Sequence, residues 1–234
     1  MAAFSLTTGD DDMKPKVILY TAASLDGRTK GFSVDMGLFY ALAQQWGENA
    51  SLVGCDTLLN APDEIPKDDD KSEVSTVAPS ADDPRPILVV SDSRGRLKSW
   101  HYWRKQPYWK DFISVCTKKT PPEHIEYLAH NDIKIIEAGT NHVDFEQALE
   151  VLNNAFGITV VRVDSGGTLN RVLLRAGLVD ELHLLIHPAL VGNTSQQTFF
   201  NDLNSEESGV IQLRFIESRL EAQGILLLSY AVSK

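Results

Sequence analysis

The segment Val161–Asn193, VRVDSGGTLNRVLLRAGLVDELHLLIHPALVGN, decides the fold. A β-branched run ends in Asp164-Ser165-Gly166-Gly167-Thr168, a helical stretch follows, and Gly177-Leu178-Val179-Asp180 turns the chain into a second apolar run. Strand, glycine turn, helix, acidic turn and strand is the order of a parallel βαβ unit. The small residues stand where backbone must pass close to something, and the helix behind them presents its first amides to the same place. Free N–H groups and the helix dipole attract a phosphate there without any arginine. An ordinary strand-to-helix turn uses the same residues, and the pattern is not G-x-G-x-x-G.

Outward from this segment the same rhythm recurs. Lys16–Ser24 is a buried first strand that ends at an Asp26-Gly27 turn. Apolar residues at helical spacing from Met36 to Trp46 predict an amphipathic helix ending near Gly47. Ser51–Gly54 is a short strand, with Asp56 or Thr57 as the cap of a brief helix. Pro86–Ser93, Asp111–Thr117, Ile133–Gly139 and Thr159–Asp164 read as further strands. Between them, helices run from Pro121-Pro122 to about Ala129 and from Asp144 to about Asn154. After a helix at Leu169–Ala176 come three strands, Glu181–Val191, Ile211–Glu217 and Ile225–Val232. The class is α/β: a single three-layer αβα domain whose central sheet is mostly parallel, with antiparallel strands at its C-terminal end. That domain is expected over residues 14–234, behind a flexible polar leader at 1–13.

Composition narrows the function. With 43% hydrophobic residues, the 234-residue chain has the make-up of a soluble globular protein. Its net charge of −10 argues against nucleic acid, whose binders need a basic face. No run is long and apolar enough for a membrane span, and the acidic N-terminus is unlike a signal peptide. Cys55 and Cys116 match no metal or redox spacing and are expected as buried thiols in a reducing cytoplasm, a disulfide being the alternative.

Ala61–Pro84, rich in Pro, Ser and acids, is a long loop, read as a solvated excursion or a substrate lid. Its Asp68-Asp69-Asp70 run, flanked by Lys67 and Lys71, is a solvated charge run rather than a cation site. His183 and His187 fall on a strand, where residues four apart are roughly 13 Å apart, too far to share an ion. His101, His124, His130 and His142 are expected in loops or on polar helix faces. The aromatic patch Trp100-His101-Tyr102-Trp103, with Tyr108-Trp109, reads as a subunit contact or a pocket wall. No Ser-His-Asp order, G-x-S-x-G elbow or Walker sequence occurs.

Three strand ends join the glycine turn. Ser24-Leu25-Asp26-Gly27-Arg28 closes the first strand and Val53-Gly54-Cys55-Asp56-Thr57 the second. Val90-Ser91-Asp92-Ser93-Arg94-Gly95-Arg96 closes the third. Ligands of open α/β sheets bind beyond strand carboxyl ends, so these segments can converge on one crevice. In this order, with Ser165-Gly166-Gly167-Thr168-Leu169-Asn170, Gly177-Leu178-Val179-Asp180-Glu181 and Pro188, they resemble the pyrimidine reductase family of riboflavin biosynthesis. The resemblance covers roughly residues 14–233 and implies a dihydrofolate-reductase-like fold, NADPH as cofactor, a small-molecule substrate and a homodimer.

The resemblance also implies roles. Gly166, Gly167, Thr168, Leu169 and Asn170 would cradle the cofactor diphosphate; Thr57 would contact the cofactor and Ser93 its adenosine end. Arg94 and Arg96 suit a 2′-phosphate, since guanidinium groups match a dianion. Asp164, usually Glu in the family, would face the substrate and hold the amine and amide edge of a pyrimidine. Asp26 stands at the family's SLDG aspartate and is the second catalytic candidate, for handling a proton; Ser33 matches a substrate-side serine.

The chain also departs from the family pattern. Ala61 replaces a usual aspartate, Tyr20 a usual first-strand lysine, and no arginine lies between Arg28 and Arg85 to hold a sugar phosphate. Lys30 or Arg28 remains for that task. Three readings stand: the riboflavin-pathway reductase, a same-fold reductase for another pterin- or pyrimidine-like compound, and a non-catalytic nucleotide-binding protein.

Overall fold

The computed structural model describes residues 14–61, 65, 83–195, 197–200 and 210–233. Its strands in chain order are β1 (Lys16–Ser24), β2 (Ala50–Gly54), β3 (Ile87–Ser91), β4 (Asp111–Cys116), β5 (Lys134–Glu137), β6 (Val160–Val163), β7 (Glu181–His187), β8 (Leu213–Leu220) and β9 (Leu226–Val232). Its helices are α1 (Met36–Ala43), α2 (Cys55–Leu59), α3 (Trp100–Arg104), α4 (Pro122–His130), α5 (Phe145–Phe156) and α6 (Gly167–Arg175). All the strands belong to one sheet, ordered β5-β4-β3-β2-β6-β1-β7-β9-β8. The pairs from β5 to β7 are parallel, and β9 and β8 finish the sheet antiparallel. This is the mostly parallel α/β architecture expected from the sequence.

Both sheet faces are covered, so the central strands are apolar on both sides. On one face Val17, Leu19, Val161 and Val163 pack with Leu149 and Leu152 of α5 and Leu169 and Leu173 of α6. On the other face, Leu88, Val90 and Phe112 pack under α2, α3 and α4. Beside them Tyr20, Leu185 and Leu227 pack under Phe39 and Ala43 of α1. The strand β6 enters the sheet late in the chain, between β2 and β1, and there the order of connections reverses.

Caps and glycines set the boundaries. Asp35 caps α1 through the Leu38 amide, and Gly47, at φ +58°, ends the 3₁₀ turn Gln44–Trp46 that follows. Asp144 caps α5 through Gln147 N–H. Asp180, in the acidic turn, accepts the Val17 amide at 2.7 Å and so fixes β7 beside the start of β1.

Several boundaries differ from expectation. Asp56 and Thr57 lie inside α2, whose N-cap is Gly54 with no side-chain cap bond. The helix α6 begins at Gly167 rather than Leu169. Strand β7 stops at His187, where Pro188 removes the next donor, and β8 runs on to Leu220.

The aromatic patch is corrected too. Its first part forms α3, where Trp100 (0% exposed) and Trp103 (8%) are core residues rather than a subunit contact, while Tyr108, outside the helix, stays exposed. His124 is buried on the core side of α4, not on a polar face. Both cysteines are buried free thiols, as expected. His183 and His187 are buried on β7 with their own partners. His183 Nδ1 meets Ser229 Oγ at 2.8 Å, and His187 Nε2 accepts the Asp35 amide at 3.3 Å. The leader at 1–13, the Asp68-Asp69-Asp70 run and most of the 61–84 loop lie outside the described residues.

Candidate active-site cleft

A cleft of 660 Å³ lies over the carboxyl ends of four adjacent strands. Thr21 and Ala22 come from β1, Asp164 and Ser165 from β6, Gly54 from β2, and Ser91 to Arg94 from β3. The connections leaving β2 and β6 diverge, one toward β3 and the other toward β7, and a crevice opens between such strands.

The glycine turn forms one wall. Gly166 is the N-cap of α6 and supplies no side-chain cap bond, so the first amides of a nine-residue helix face the cleft unclaimed by a side chain. A Cβ at Gly166 would meet nothing within 4 Å, so its hydrogen borders open space. Ser165 braces the turn from below: its Oγ accepts the Gly54 amide at 3.1 Å and lies 3.1 Å from Thr57 Oγ1. The loop after β3 brings Ser93, Arg94 and Arg96 to the rim. Arg96 is paired with Asp56 at 2.7 Å, whereas Arg94 is exposed and makes no ion pair among the described residues. Uncapped amides, hydroxyls, a glycine opening on empty space and a guanidinium together fit a dinucleotide diphosphate.

Asp164 stands on the other side of the same turn. Along β6, Val161 and Val163 point into the α5–α6 core, and Arg162 points to the opposite face. Asp164 follows Arg162: Arg162 Nη1 donates to its Oδ2 at 3.0 Å. Arg162 is only 3% exposed and also donates through Nε and Nη2 to Glu48, the latter bond 3.0 Å long. The two carboxylates raise the Arg162 pKa beyond its usual value, against the opposing pull of burial. Asp164 keeps 31% of its side chain exposed and lines the cleft. It does not cap α6.

The structure thus brings together Thr57, Ser93, Arg94, Asp164, Gly166, Gly167, Thr168 and Leu169. It places three other expected residues elsewhere. Asn170 is buried, and its Nδ2 donates to Phe199 O at 3.1 Å. Ser33 is exposed and outside the lining, although Lys30 and Val34 beside it are inside. Asp26 is also outside. Ser24 Oγ donates to it at 2.6 Å, and the amides of Val191 and Gly192 at 3.1 and 2.7 Å. These bonds, the serine's first, hold its carboxyl down at about 2. Asp26 thereby ties the loop after β7 to the end of β1.

Other groups at the cleft escaped the sequence reading. Asp92 lines it but is 2% exposed, and its Oδ2 accepts the Leu97 amide at 2.8 Å. His124 lies behind it, Nε2 to Oδ2 3.6 Å, and burial, then Lys98, lower the imidazole's pKa. The thiol of Cys55, beside them, is pushed up to about 12 by burial and then by Asp92. His142 reaches the rim from the loop after β5. Among the described residues no cluster of His, Cys, Asp or Glu suits a metal, and no helix is long and apolar enough to cross a membrane.

Comparison with known proteins agrees with this geometry. Residues 15–227 match the RibD C-terminal domain family. The chain is 30% identical over 203 residues to the 2,5-diamino-6-ribosylamino-4(3H)-pyrimidinone 5′-phosphate reductase of Methanothermobacter thermautotrophicus, covering 83% of this chain and 88% of that protein. With the riboflavin biosynthesis protein RibD of Buchnera aphidicola it shares 26% identity over 132 residues, 56% of this chain but 34% of the longer relative.

Among solved structures, RibD of Acinetobacter baumannii superposes with a TM-score of 0.69 at 21% identity, covering 94% of this chain and 58% of that one. The riboflavin biosynthesis reductase Rib7 of Saccharomyces cerevisiae gives 0.66 at 16% identity, covering 97% and 93%. These structures share its dihydrofolate-reductase-like fold. The family match over nearly the whole chain, with the 30% identical archaeal reductase, shows that the chain belongs to the RibD C-terminal domain family.

Proposed function

We propose that the chain is an NADPH-dependent reductase of riboflavin biosynthesis that converts a ribosylamino-pyrimidine phosphate to its ribitylamino form. One observation carries this: the uncapped N-terminus of α6 and the Asp164 carboxylate open on one cleft from opposite sides of the same glycine turn. Its volume of 660 Å³ lies within the roughly 300–1,000 Å³ of small-molecule sites.

In this reading the amides of Gly167, Thr168 and Leu169 hold the diphosphate, with Thr57 and Ser165 hydroxyls beneath it. Ser93 and Arg94 take the adenosine end, and the unpaired guanidinium of Arg94 favours the 2′-phosphate of NADPH over the hydroxyl of NADH. The bound nicotinamide supplies the hydride. Asp164 accepts N–H groups of the pyrimidine edge and orients the sugar carbon toward the cofactor. Apolar Val34, Met36 and Phe39 are also part of the lining and limit water there.

Titration of NADPH and NADH by nicotinamide fluorescence tests the cofactor assignment. Tighter binding of NADPH is expected; binding of neither sinks the enzyme reading. Gly166→Val is the matched control, since its side chain enters space that the fold leaves open. It should abolish cofactor binding with an unchanged unfolding midpoint.

A second reading, reduction of another pterin- or pyrimidine-like compound, is favoured by the scarcity of phosphate-binding cations. Among the described residues the lining holds three Lys or Arg side chains, Lys30, Arg94 and Arg96, and Arg96 is already paired with Asp56. Complementation of a riboflavin auxotroph lacking the reductase separates the two.

We also propose a homodimer through β8 and a cytoplasmic setting, the latter supported by the two free thiols. As the outermost strand, β8 leaves Leu213 (42%), Phe215 (57%) and Leu220 (74%) exposed. An edge this apolar is a template for a second copy.

A further inference from the structure

We propose that Arg162 and Glu48 are positioning residues that fix the Asp164 carboxylate for the pyrimidine. The proposal rests on the pyrimidine-reductase reading of the cleft. Its origin is an anomaly in β6, where a guanidinium sits between Val161 and Val163, strand residues that are 0% and 1% exposed. A charge there is costly unless every donor finds an acceptor, and an aliphatic residue of similar volume would serve packing as well or better. The charge is satisfied in a particular way. Glu48, from the turn before β2, takes Nε and Nη2 side by side, and Ser51 Oγ lies 3.4 Å from Nη2. Ser51 Oγ also donates to Glu48 Oε1 at 3.3 Å.

This two-pronged grip locks the plane of the guanidinium. Its remaining arm, Nη1, points along the strand and ends on Asp164 Oδ2. Of the three charged groups, Arg162 is buried, Glu48 keeps 12% of its side chain exposed and Asp164 31%. Only Asp164 lines the cleft. The bond takes one lone-pair direction of Oδ2 and leaves Oδ1 open, so the carboxylate presents a fixed acceptor edge. A planar acceptor edge of this kind pairs with adjacent N–H donors, as on an amino-pyrimidine. Without the guanidinium, an aspartate at the head of this turn has several rotamers and a competing place at the first amides of α6.

Steady-state kinetics with NADPH and the ribosylamino-pyrimidine phosphate test this, with Arg162→Lys made in the wild-type and the Asp164→Asn backgrounds. Lysine keeps the charge but not the two-pronged grip. A group acting through Asp164 should matter only while Asp164 can respond. In the wild-type background KM for the pyrimidine is expected to rise about tenfold, with a smaller change in kcat. In the Asp164→Asn background the further rise should stay within about twofold.

Equal effects in the two backgrounds, or none in the first, overturn the proposal. Should Arg162→Lys fail to fold, the same cycle is run with Glu48→Gln, which keeps the acid's shape and one acceptor, under the same criteria. Absence of turnover by the wild type overturns the reductase reading, and this proposal with it. Turnover with equal effects in both backgrounds overturns the positioning role alone.

Discussion

Asp26 shows how one carboxylate can be prominent in a sequence and structural in the fold. It accepts from Ser24, Gly192 and Val191, and these bonds hold its pKa at about 2 instead of 3.8. A lowered folded-state value stabilises the protein above the unfolded value and ceases to do so as the acid range is entered. Stability supplied by this clamp is therefore complete above 3.8 and disappears as the pH falls through about 2. Urea melts stepped across that window should show a shallower acid loss in Asp26→Asn than in the wild type, and identical slopes would contradict the clamp. Asp164 and the glycine turn were legible because they adjoin in sequence. Arg162 was not, although a charge within VVRV was its visible signal, because its partner Glu48 lies 114 positions away. Asp92 was hidden likewise, since its function in the loop after β3 depends on burial under α4.

At the scale of elements, alternation and helical spacing located every strand and five of the six helices, because burial on one or two faces imposes those periods. The exception is α3. Its five residues, WHYWR, are too few for a period to declare itself, and aromatic composition resembles a surface patch as much as a core. The structure resolves this by packing: Trp100 sits on Phe112 of β4, ring centroids 6.2 Å apart, and Trp103 on Trp109 at 6.1 Å. Removing a fully buried indole leaves a cavity as well as losing transfer energy. Trp100→Ala is thus expected to cost about 3–5 kcal/mol in equilibrium unfolding. A cost under about 1 kcal/mol, typical of surface changes, would return α3 to the surface. Its neighbour Arg104 is held by the carbonyls of Asn131 and Asp132 at 2.8 and 2.6 Å, which ties α3 to the end of α4.

For the whole molecule, sheet order explains why a sequence without G-x-G-x-x-G still builds a phosphate cradle. The cradle needs the carboxyl ends of β3, β2, β6 and β1 side by side, and no local motif encodes that adjacency. Strand identities were readable, but their order in the sheet was not. The C-terminal strands raise a separate question of assembly. Phe215 of β8 rests edge-on against Tyr230 of β9 at 5.9 Å yet remains largely exposed. If β8 joins two copies, Phe215→Asp should convert a dimer to monomers in sedimentation velocity while NADPH affinity persists. A wild-type protein that sediments as a monomer would dismiss the interface.

The late arrival of β6 has a consequence for synthesis. As the chain leaves the ribosome, β1 and β2 emerge well before the strand that will lie between them, and they have no direct pairing with each other. Only residues 160–163, by pairing with both, close the floor of the cleft between them. A chain that ends short of that point carries five of the six helices and the cleft walls from β1, β2 and β3, but neither Asp164 nor the glycine turn. Asp164, the glycine turn and the first turn of α6 follow directly, so the parts proposed to hold substrate and cofactor are made after most of the other walls of the cleft.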